Sequence, residues 1–457
     1  MRLQTWHTLA RYAAGLGLRG VEVAGKLGLY IVAARSLGIH DAGLFFLCLT
    51  WIGLASTVAR LGLERAVTRH VAAELAVGHG RAAGRALRTG LIWTGLAAAA
   101  IALLTAAMAG PVSQLLFGAP DLETPLRLSA LALVPQTLTI TIGSALAGLK
   151  RGVAAQFVQN ALWPVLTLAA LLAGVGDLDS LVLGLAGALA LSALTGMVLL
   201  ARDRHRFAGR PADRPASSGE KAETLPTLWQ TARPLFVVEL VQVSLASLPV
   251  LALGMFVDAA SVGAFSVANR ISMLVWVVII SIGTFAAPNY AELHRRGEMA
   301  RLKAMNRGVM LSVAALGLPL VTVMMAVPDR LLGLVGEGFG SGATALCILA
   351  AGQMVNCLLA CQDIRLAMTG RGDVLRRLNL LQLATCVALG AVLIPAFGMT
   401  GAALVTAVAV AQGAIGTSLV SFSVFERFGP QRNRVGDGAP PREATEPLDK
   451  GTARPAQ

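Results

Sequence analysis

The sequence predicts an all-α polytopic membrane protein, with twelve transmembrane helices in two parallel six-helix lobes around a central cavity. Three observations carry this prediction. Long apolar runs recur along the whole chain, basic residues concentrate in every second gap between them, and short motifs return after about 220 residues. Charged residues make up 14% of the chain and hydrophobic residues 55%, which is unlike the composition of a soluble globular domain.

The apolar runs are long enough to cross a bilayer as helices, which takes about 20 residues each. Outer-membrane barrels have short segments of alternating hydrophobicity instead, so helices are expected. The run at 378–425 holds two spans, because the segment from Pro395 to Gly401 has turn composition. An apolar segment at 15–37, which carries Arg19, Glu22 and Lys26 in its first half, completes the twelve. The other runs are 42–59, 89–120, 128–149, 152–176, 180–201, 240–257, 271–291, 308–328 and 338–362.

The basic residues predict the orientation of the chain. Most of the 38 Lys and Arg lie at the two ends and in the even-numbered gaps, whereas Arg330 is essentially alone in the odd-numbered gaps. Because basic loops stay on the cytoplasmic side, both termini are expected in the cytoplasm. The net charge of +13 is therefore a topology signal and an attraction to membrane lipids, and nucleic acid is not expected as a partner.

Several chemical classes are disfavoured by the motifs. The five cysteines all fall in predicted spans and lack metal-ligand spacing, apart from an i, i+4 pair at Cys357 and Cys361, so packing is the expected role. The chain has no P-loop and no nucleophile with a partnered histidine. We therefore expect a transporter rather than an enzyme, with no metal and no cofactor.

Short motifs divide the chain into two similar halves. Gly43-Leu44-Phe45 returns as Gly263-Ala264-Phe265, and Phe117-Gly118 returns as Phe339-Gly340. Six spans in each half give both halves the same orientation, and transporters place their substrate between such repeats. The predicted divisions are an N-terminal lobe at 1–205, a cytoplasmic linker at 206–228, a C-terminal lobe at 229–425 and a disordered cytoplasmic tail at 426–457.

The first span carries charges that a lipid-facing helix would not tolerate. Arg19, Glu22 and Lys26 are spaced i, i+3 and i+7, which places them on one face of a helix. A buried ionisable group is costly in a membrane, so such a group faces a cavity or a partner. Glu22 can pair with either base, and the remaining positive charge favours an anion. Arg19 has an alternative role as an interfacial side chain that reaches the cytoplasmic surface.

Other polar residues inside the spans are further candidates for the cavity. Arg60 and Arg270 are the basic candidates. The alternative for Arg60 is an interfacial position. The alternative for Arg270 is a structural ion pair with Glu239 or Asp363. The acidic candidates for proton or sodium coupling are Glu22, Glu239 and Asp363. The neutral candidates, for which helix-to-helix hydrogen bonds are the alternative role, are Gln242, Asn269, Gln353 and Asn356.

Motifs across the chain resemble those of a known family. Residues 34–38, 42–45 and 59–63 look like the opening of bacterial polysaccharide-transport flippases, and residues 262–270 resemble the signature of their eighth span. Gly338-Phe339 and, after a span, residues 368–371 resemble their tenth-span region. The resemblance covers about residues 10–425. The family belongs to the multidrug/oligosaccharidyl-lipid/polysaccharide exporter superfamily.

This resemblance implies a V-shaped pair of lobes that moves a polyprenyl-pyrophosphate-linked oligosaccharide from the inner to the outer leaflet by alternating access. Arg19, Lys26, Arg60 and Arg270 would then face the pyrophosphate, and glycan polymerase or ligase machinery would be a partner. The sequence leaves open a multidrug or small-molecule antiporter of the same superfamily and a non-transporting scaffold of a glycan-assembly complex. A lipid II flippase is a further alternative, although relatives of that kind usually carry two extra spans.

Overall fold

A computed structural model describes the backbone of residues 2–207 and 227–427, and the side chains of residues 17–207 and 227–423. No strand occurs within these ranges, so the predicted all-α fold is confirmed. The predicted linker at 206–228 and tail at 426–457 lie almost wholly outside the described residues. The α-helices in chain order are α1 (Arg2–Arg60), α2 (Leu63–Ala76), α3 (Gly80–Pro111), α4 (Glu123–Gly148), α5 (Gly152–Gln156), α6 (Leu162–Leu172), α7 (Leu178–Arg202), α8 (Arg204–Phe207), α9 (Leu228–Phe256), α10 (Ala259–Ser272), α11 (Leu274–Arg295), α12 (Met299–Ala326), α13 (Pro328–Gly333), α14 (Ala343–Leu358), α15 (Gln362–Met368) and α16 (Gly372–Arg427).

Ten helical segments of the described chain are long and apolar enough to cross a membrane. Two of them, Gly17–Arg60 with 44 residues and Gly372–Ser423 with 52, are about twice the length that one crossing needs. Each contains one glycine with non-helical backbone angles, Gly38 and Gly398. Gly398 lies inside the turn expected between Pro395 and Gly401. The two kinks leave room for two further spans, and the count of twelve stays a prediction.

The helices pack as two bundles. In the first, α4 contacts α1, α3 and α7, and α6 packs between α1 and α7. In the second, α14 contacts α12 and α16, and α11 packs on α12. Many leucines point away from both bundles, such as Leu103, Leu311 and Leu419, which are 74%, 64% and 66% exposed. Such apolar exposure is what a surrounding bilayer requires. The exact lobe boundaries predicted from the sequence stay predictions.

The two bundles meet along a surface that we call the seam, formed mainly by α1 and α2 against α9 and α10. At one end of the seam, Gly43 of α1 lies directly against Gly263 of α10. A Cβ atom at Gly43 would overlap the carbonyl oxygen of Ala259, and a Cβ atom at Gly263 would overlap that of Ile39. Gly263 lies 220 residues after Gly43, and Ala259 lies 220 residues after Ile39. The two bundles therefore make the same contact with equivalent residues. Only glycine allows the two backbones to come this close.

A second reciprocal contact lies near this end of the seam. Phe117, in the loop before α4, packs against Gly254 near the end of α9, where a Cβ atom would lie 3.2 Å from the phenyl ring. Gly336, in the loop before α14, lies against the backbone of Arg35 in α1. The side chain of Arg35 also donates hydrogen bonds to the carbonyl oxygens of Leu334 and Val335, the latter at 3.2 Å. Each bundle therefore places a loop over the end of the other bundle's first helix.

At the other end of the seam, the chain turns sharply between α1 and α2 and packs on α9. Leu61 and Gly62 both have positive φ angles, 53° and 73°. A Cβ atom at Gly62 would overlap the carbonyl oxygen of Ala232, so α9 touches the turn itself. Ala66 of α2 and Ala232 of α9 are fully buried in the same small apolar cluster. The seam is therefore closed at both ends in this structure.

Candidate functional site

The charged residues of the first span belong to a polar cluster between α1 and α6, which we call the Glu22 cluster. Lys26 donates to the Glu22 carboxylate at 2.7 Å, one turn away on the same helix. The amide nitrogen of Gln156 donates to the other carboxylate oxygen of Glu22. Lys26 also lies 3.5 Å from the amide oxygen of Asn160 and 5.9 Å from the ring centre of Trp163. Glu22 therefore pairs with Lys26, one of the two bases expected for it.

A short π-helix over Phe157–Ala161 builds the far side of the Glu22 cluster. Such π-turns inside a helix change which side chains share a face, and they are frequent at functional sites. Here Gln156 and Asn160 face α1 together, and Asn160 donates to Gln156 at 3.3 Å. Gln156, Asn160 and Trp163 were not singled out from the sequence. The signal that could have found them was three amide side chains within five residues of an otherwise apolar run.

Arg19 is half-buried one turn from Glu22 and lies outside the hydrogen bonds that define this cluster. Lys26 and Glu22 are also incompletely covered, with 29% and 16% of their side-chain surface exposed. The cluster is thus accessible on one side while protein groups hold it on the other. An approaching anion would meet Lys26 and Arg19 together, with Glu22 reducing the net positive charge.

The second group of charged residues joins the two bundles, and we call it the Arg60 cluster. Arg60 at the end of α1 lies 3.7 Å from Glu64 of α2 and 3.9 Å from Glu239 of α9. Arg65 of α2 binds the other carboxylate oxygen of Glu239 at 2.5 Å. Arg60, Glu64 and Arg65 of the first bundle therefore face the single carboxylate of Glu239 across the seam.

Arg60 and Glu64 are the most enclosed members of the Arg60 cluster, because only 5% of each residue is exposed. Arg60 also has partners within its own helix. Its guanidinium donates to the hydroxyls of Ser56 and Thr57 at 2.9 and 2.8 Å. The structure places Glu239 between two arginines of the opposite bundle. Its expected pairing with Arg270 is not the arrangement found, and its role in ion coupling stays a prediction.

His70 of α2 makes a neutral contact beside the Arg60 cluster. Its Nε2 atom lies 3.2 Å from the hydroxyl of Thr231 in α9, and both residues are buried. The helix α2 lies outside the candidate spans. Burial lowers the pKa of His70 below its usual value, Glu74 opposes this shift, and Arg69 adds to it. The imidazole is therefore neutral in the closed seam at pH 7.

Arg270 and Asn269 line a small pocket of about 130 Å³ between the bundles, midway along the seam. The pocket is bounded by residues 46–53 of α1, by α9 and by α10, and it includes the polar side chains of Thr50, Ser247 and Ser266. The guanidinium of Arg270 lies 4.7 Å from the ring centre of Tyr30, which provides a cation–π contact across the seam. This pocket lies between the two bundles, where the sequence predicts the central cavity.

Three other predicted residues line a separate cavity of about 270 Å³ inside the second bundle, which we call the Asp363 cavity. They are Gln242 of α9, Asn356 of α14 and Asp363 of α15. The predicted Gln353 is buried behind them and accepts a hydrogen bond from Asn356 at 3.3 Å. Trp276, Asn379, Gln382 and Thr417 also line this cavity and were not singled out from the sequence.

The predicted site residues therefore fall into three groups, and the structure does not bring them into one cavity. Lys26 and Glu22 lie in the first bundle, Asp363 and Gln242 lie in the second, and Arg60 and Arg270 lie on the seam. Within the described residues, no group of three or more His, Cys, Asp or Glu side chains has an arrangement that holds a metal ion. The roles given to these residues stay predictions.

Solved structures share this fold at low sequence identity. An inward-facing multidrug resistance MATE family transporter of the MOP superfamily is 15% identical with a TM-score of 0.64, over 89% of this chain and 94% of that chain. The lipid II flippase MurJ in an inward closed conformation is 11% identical with a TM-score of 0.71, over 90% and 91%. The MATE multidrug transporter DinF-BH is 16% identical with a TM-score of 0.60, over 90% and 95%.

Sequence comparison identifies a family as well as a fold. Residues 24–294, more than half of the chain, match the family described as polysaccharide biosynthesis protein. The matched region includes the Glu22 cluster from Lys26 onward, the Arg60 cluster and the helices of the seam. Among curated proteins, none matches this sequence.

Proposed function

The chain belongs to the polysaccharide biosynthesis protein family, and from this membership we propose that it is a flippase for a polyprenyl-pyrophosphate-linked oligosaccharide. It would move this lipid from the inner to the outer leaflet of the bacterial inner membrane by alternating access. The surface polysaccharide made from it would be a lipopolysaccharide or an exopolysaccharide. Both termini would lie in the cytoplasm, where most of the basic residues of the loops are found.

The Glu22 cluster is the observation that carries this proposal. A charged network within an apolar helical segment is costly unless it serves a ligand or a partner. Lys26 is held at 2.7 Å from Glu22, within reach of Asn160, and remains partly exposed. A pyrophosphate would bind there through Lys26 and Arg19, while Gln156 keeps Glu22 in place and Asn160 keeps Lys26 in place. The apolar outer surface of the bundles would leave the polyprenyl tail in the bilayer.

The fold supports movement between two leaflets because it is shared with transporters. The similar structures are named as multidrug transporters and as a lipid II flippase, at identities of 11–16%. A substrate would reach the seam when one of its ends opens. The Arg60 cluster would open and close the cytoplasmic end, and the Gly43 contact would close the outer end. Glu22, Glu239 and Asp363 remain the proposed carriers if protons or sodium drive the cycle.

The direct test is reconstitution of the purified full-length chain into liposomes with a fluorescent polyprenyl-pyrophosphate oligosaccharide. We expect wild-type protein to make the lipid accessible from the opposite leaflet and Lys26→Ala to reduce the rate at least about tenfold, since one charged hydrogen bond is lost. Lys303→Ala is the matched control, because Lys303 is an exposed residue in the loop-proximal part of α12, away from the seam. Equal rates in empty and protein-containing liposomes would contradict the proposal.

A multidrug antiporter is the second candidate, supported by the likeness to MATE structures. The same liposomes distinguish it. Uptake of a cationic dye driven by a proton or sodium gradient, without movement of the lipid-linked oligosaccharide, would replace the flippase with an antiporter. A scaffold without transport activity would move neither.

A further inference from the structure

The Asp363 cavity has a chemistry different from that of the other polar sites. It lies within the second bundle, where α9, α11, α14, α15 and α16 all contribute to its wall, and has a volume of about 270 Å³. Its lining contains four amide side chains and one hydroxyl, at Gln242, Asn356, Asn379, Gln382 and Thr417. Asp363 is the one charged residue among the residues that line it, and no basic residue is among them.

An amide-rich lining matches a ligand that carries many hydroxyl groups. Each amide offers both a donor and an acceptor, and each hydroxyl does the same, so the two can pair in either direction. A phosphate would need positive charge to offset its own, which this lining lacks, and the carboxylate of Asp363 would repel it. A lipid tail would need an apolar lining, and the amides would lose hydrogen bonds to water on its entry. The cavity therefore favours a neutral polyol.

Two of the amides are held in place from behind. Gln382 donates from its nitrogen to the carbonyl oxygen of Ala409 at 2.7 Å, and Asn356 donates to Gln353 at 3.3 Å. Gly413 gives Gln382 the space for this position, because a Cβ atom there would lie 2.9 Å from its amide nitrogen. The amide oxygens are then available as acceptors with fixed orientation. Fixing polar groups in advance reduces the entropy lost when a ligand binds.

Trp276 supplies a flat apolar wall beside these polar groups. It lines the cavity, and 48% of the residue is exposed. A pyranose ring has the matching shape, because one face presents C–H groups while the hydroxyls point outward around the ring. The indole can pack against that face, while the amides on the neighbouring helices form hydrogen bonds with the hydroxyls around the ring. A sodium ion would use Asp363 and a few oxygens, but it would not use the indole or the remaining volume.

The first bundle shows how different the corresponding region is. With the 220-residue shift, Gln242 corresponds to Glu22 and Asn379 corresponds to Gln159. In the first bundle this region holds the ion pair of Glu22 and Lys26, with Gln156 and Asn160 bonded to it. In the second bundle it holds neutral amides around an open volume. One region is suited to a charged group and the other to an uncharged one.

We propose that the Asp363 cavity binds a sugar residue, with the ring on Trp276 and its hydroxyls paired to Asn379, Gln382 and Asp363. The proposal rests on the proposed function in one respect: the sugar is taken to belong to the glycan of the transported lipid. The pyrophosphate and the glycan would then be recognised by different bundles. Changes to the lining of the Asp363 cavity would alter which glycan is accepted without altering recognition of the pyrophosphate.

The test is saturation-transfer NMR with the full-length chain in lipid nanodiscs and a panel of methyl glycosides. The panel contains the glucoside, galactoside, mannoside, rhamnoside and N-acetylglucosaminide at millimolar concentrations. We expect transfer to at least one glycoside, and about fivefold to tenfold weaker binding in Asn379→Ala and Trp276→Ala, because each removes one contact. Asn289→Ala is the matched control, since Asn289 is exposed on α11 and does not line the cavity. Equal thermal stability of the variants shows that folding is unchanged.

Three results would overturn the proposal. The first is no transfer to any glycoside of the panel. The second is transfer that is equal in wild type, Asn379→Ala and Asn289→Ala. The third is a change of tryptophan fluorescence with sodium chloride but not with glycosides, present in wild type and absent in Trp276→Ala, which would make the cavity a cation site. Choline chloride at equal ionic strength controls for salt.

Liposome transport separates a failure of this cavity from a failure of the flippase assignment. In one outcome, Trp276→Ala loses glycoside binding but still moves every lipid-linked oligosaccharide at the wild-type rate. In that case the cavity does not recognise the transported glycan, and the flippase assignment is unaffected. If wild-type protein binds glycosides but moves no lipid-linked oligosaccharide, the flippase assignment fails and the sugar site stands.

Discussion

The two ends of the seam are closed by different means. At the Gly43 end, backbone meets backbone through a reciprocal pair of glycines. At the Arg60 end, two arginines of one bundle face a glutamate of the other, and a histidine contacts a threonine. The first closure depends on shape and the second on charge. Salt, pH and charge substitutions should therefore act on the Arg60 end, and changes of side-chain volume should act on the Gly43 end.

The largest effect is expected for Arg60→Met. This change leaves the buried Glu64 without its nearest cation, and breaking a buried ion pair costs about 3–5 kcal/mol. The measurement is the unfolding free energy of the purified chain in detergent. The variant Arg60→Met with Glu64→Gln removes both charges and should recover most of the loss. If the unfolding free energy of Arg60→Met alone lies within about 1 kcal/mol of the wild-type value, the pair behaves as an exposed one. The Arg60 cluster would then be solvated.

Gly43→Ala tests the other end of the seam. The added methyl group overlaps the carbonyl oxygen of Ala259, and overpacking of this kind costs about 1–3 kcal/mol. Gly53→Ala is the control in the same helix, because an added Cβ atom there has no neighbour within 4 Å. We expect a lower unfolding temperature for Gly43→Ala and no decrease for Gly53→Ala. Equal unfolding temperatures would mean that the two glycines are not in contact.

Glu239→Gln should have a smaller effect that depends on salt. Its partner Arg65 is 45% exposed, so solvent screens the pair and the expected loss is about 1 kcal/mol. Raising sodium chloride from about 0.05 to about 0.5 M should weaken wild type toward the variant, because the Debye length falls. Glu292→Gln removes an exposed ion pair with Arg296 at the end of α11 and serves as the control. If the stability of Glu239→Gln depends on salt as strongly as that of wild type, the pair of Glu239 and Arg65 is not the source of the salt dependence.

The smallest effect is expected for the pH dependence of His70. Because burial lowers its pKa in the folded chain, the unfolded chain binds the proton more readily. Stability is therefore unaffected above the ordinary histidine pKa of about 6.5 and decreases as the pH falls below it. His70→Gln keeps a hydrogen-bonding group but cannot titrate. Between pH 7 and pH 5, the unfolding temperature of wild type should fall by more than that of His70→Gln. An equal decrease in both proteins would contradict this.

Apolar patterning predicted the fold because the bilayer imposes one requirement on every span. The turn between Pro395 and Gly401 was predicted from local composition. The repeat identified Gly43 and Gly263 as equivalent positions, but their contact came from the structure. Gly38 was harder to identify, since a single glycine in an apolar run does not distinguish a kink from a continuous helix. The structure shows the kink through its positive φ of 75°.

The site was predicted less completely, because charged residues are conspicuous in an apolar run and amides are not. Lys26 and Glu22 stood out, and their ion pair follows from helical spacing. Asn160 and Asn379 did not stand out, because their roles depend on which helices become neighbours. The pairing of Glu239 with Arg65 likewise depends on the packing of α2 on α9, which no local pattern encodes.

The bare contact at Gly43 has a mechanical consequence. At this pair of glycines the bundles touch through backbone atoms alone, so the pair would act as a pivot if one bundle tilted against the other. Arg60 is 17 positions further along the same chain segment, about 26 Å at a helical rise of about 1.5 Å per residue. A tilt of about 10° around such a fulcrum would displace the far end by about 4–5 Å, which exceeds the length of an ion pair. Such a rotation at the glycines would therefore separate the arginines from Glu239.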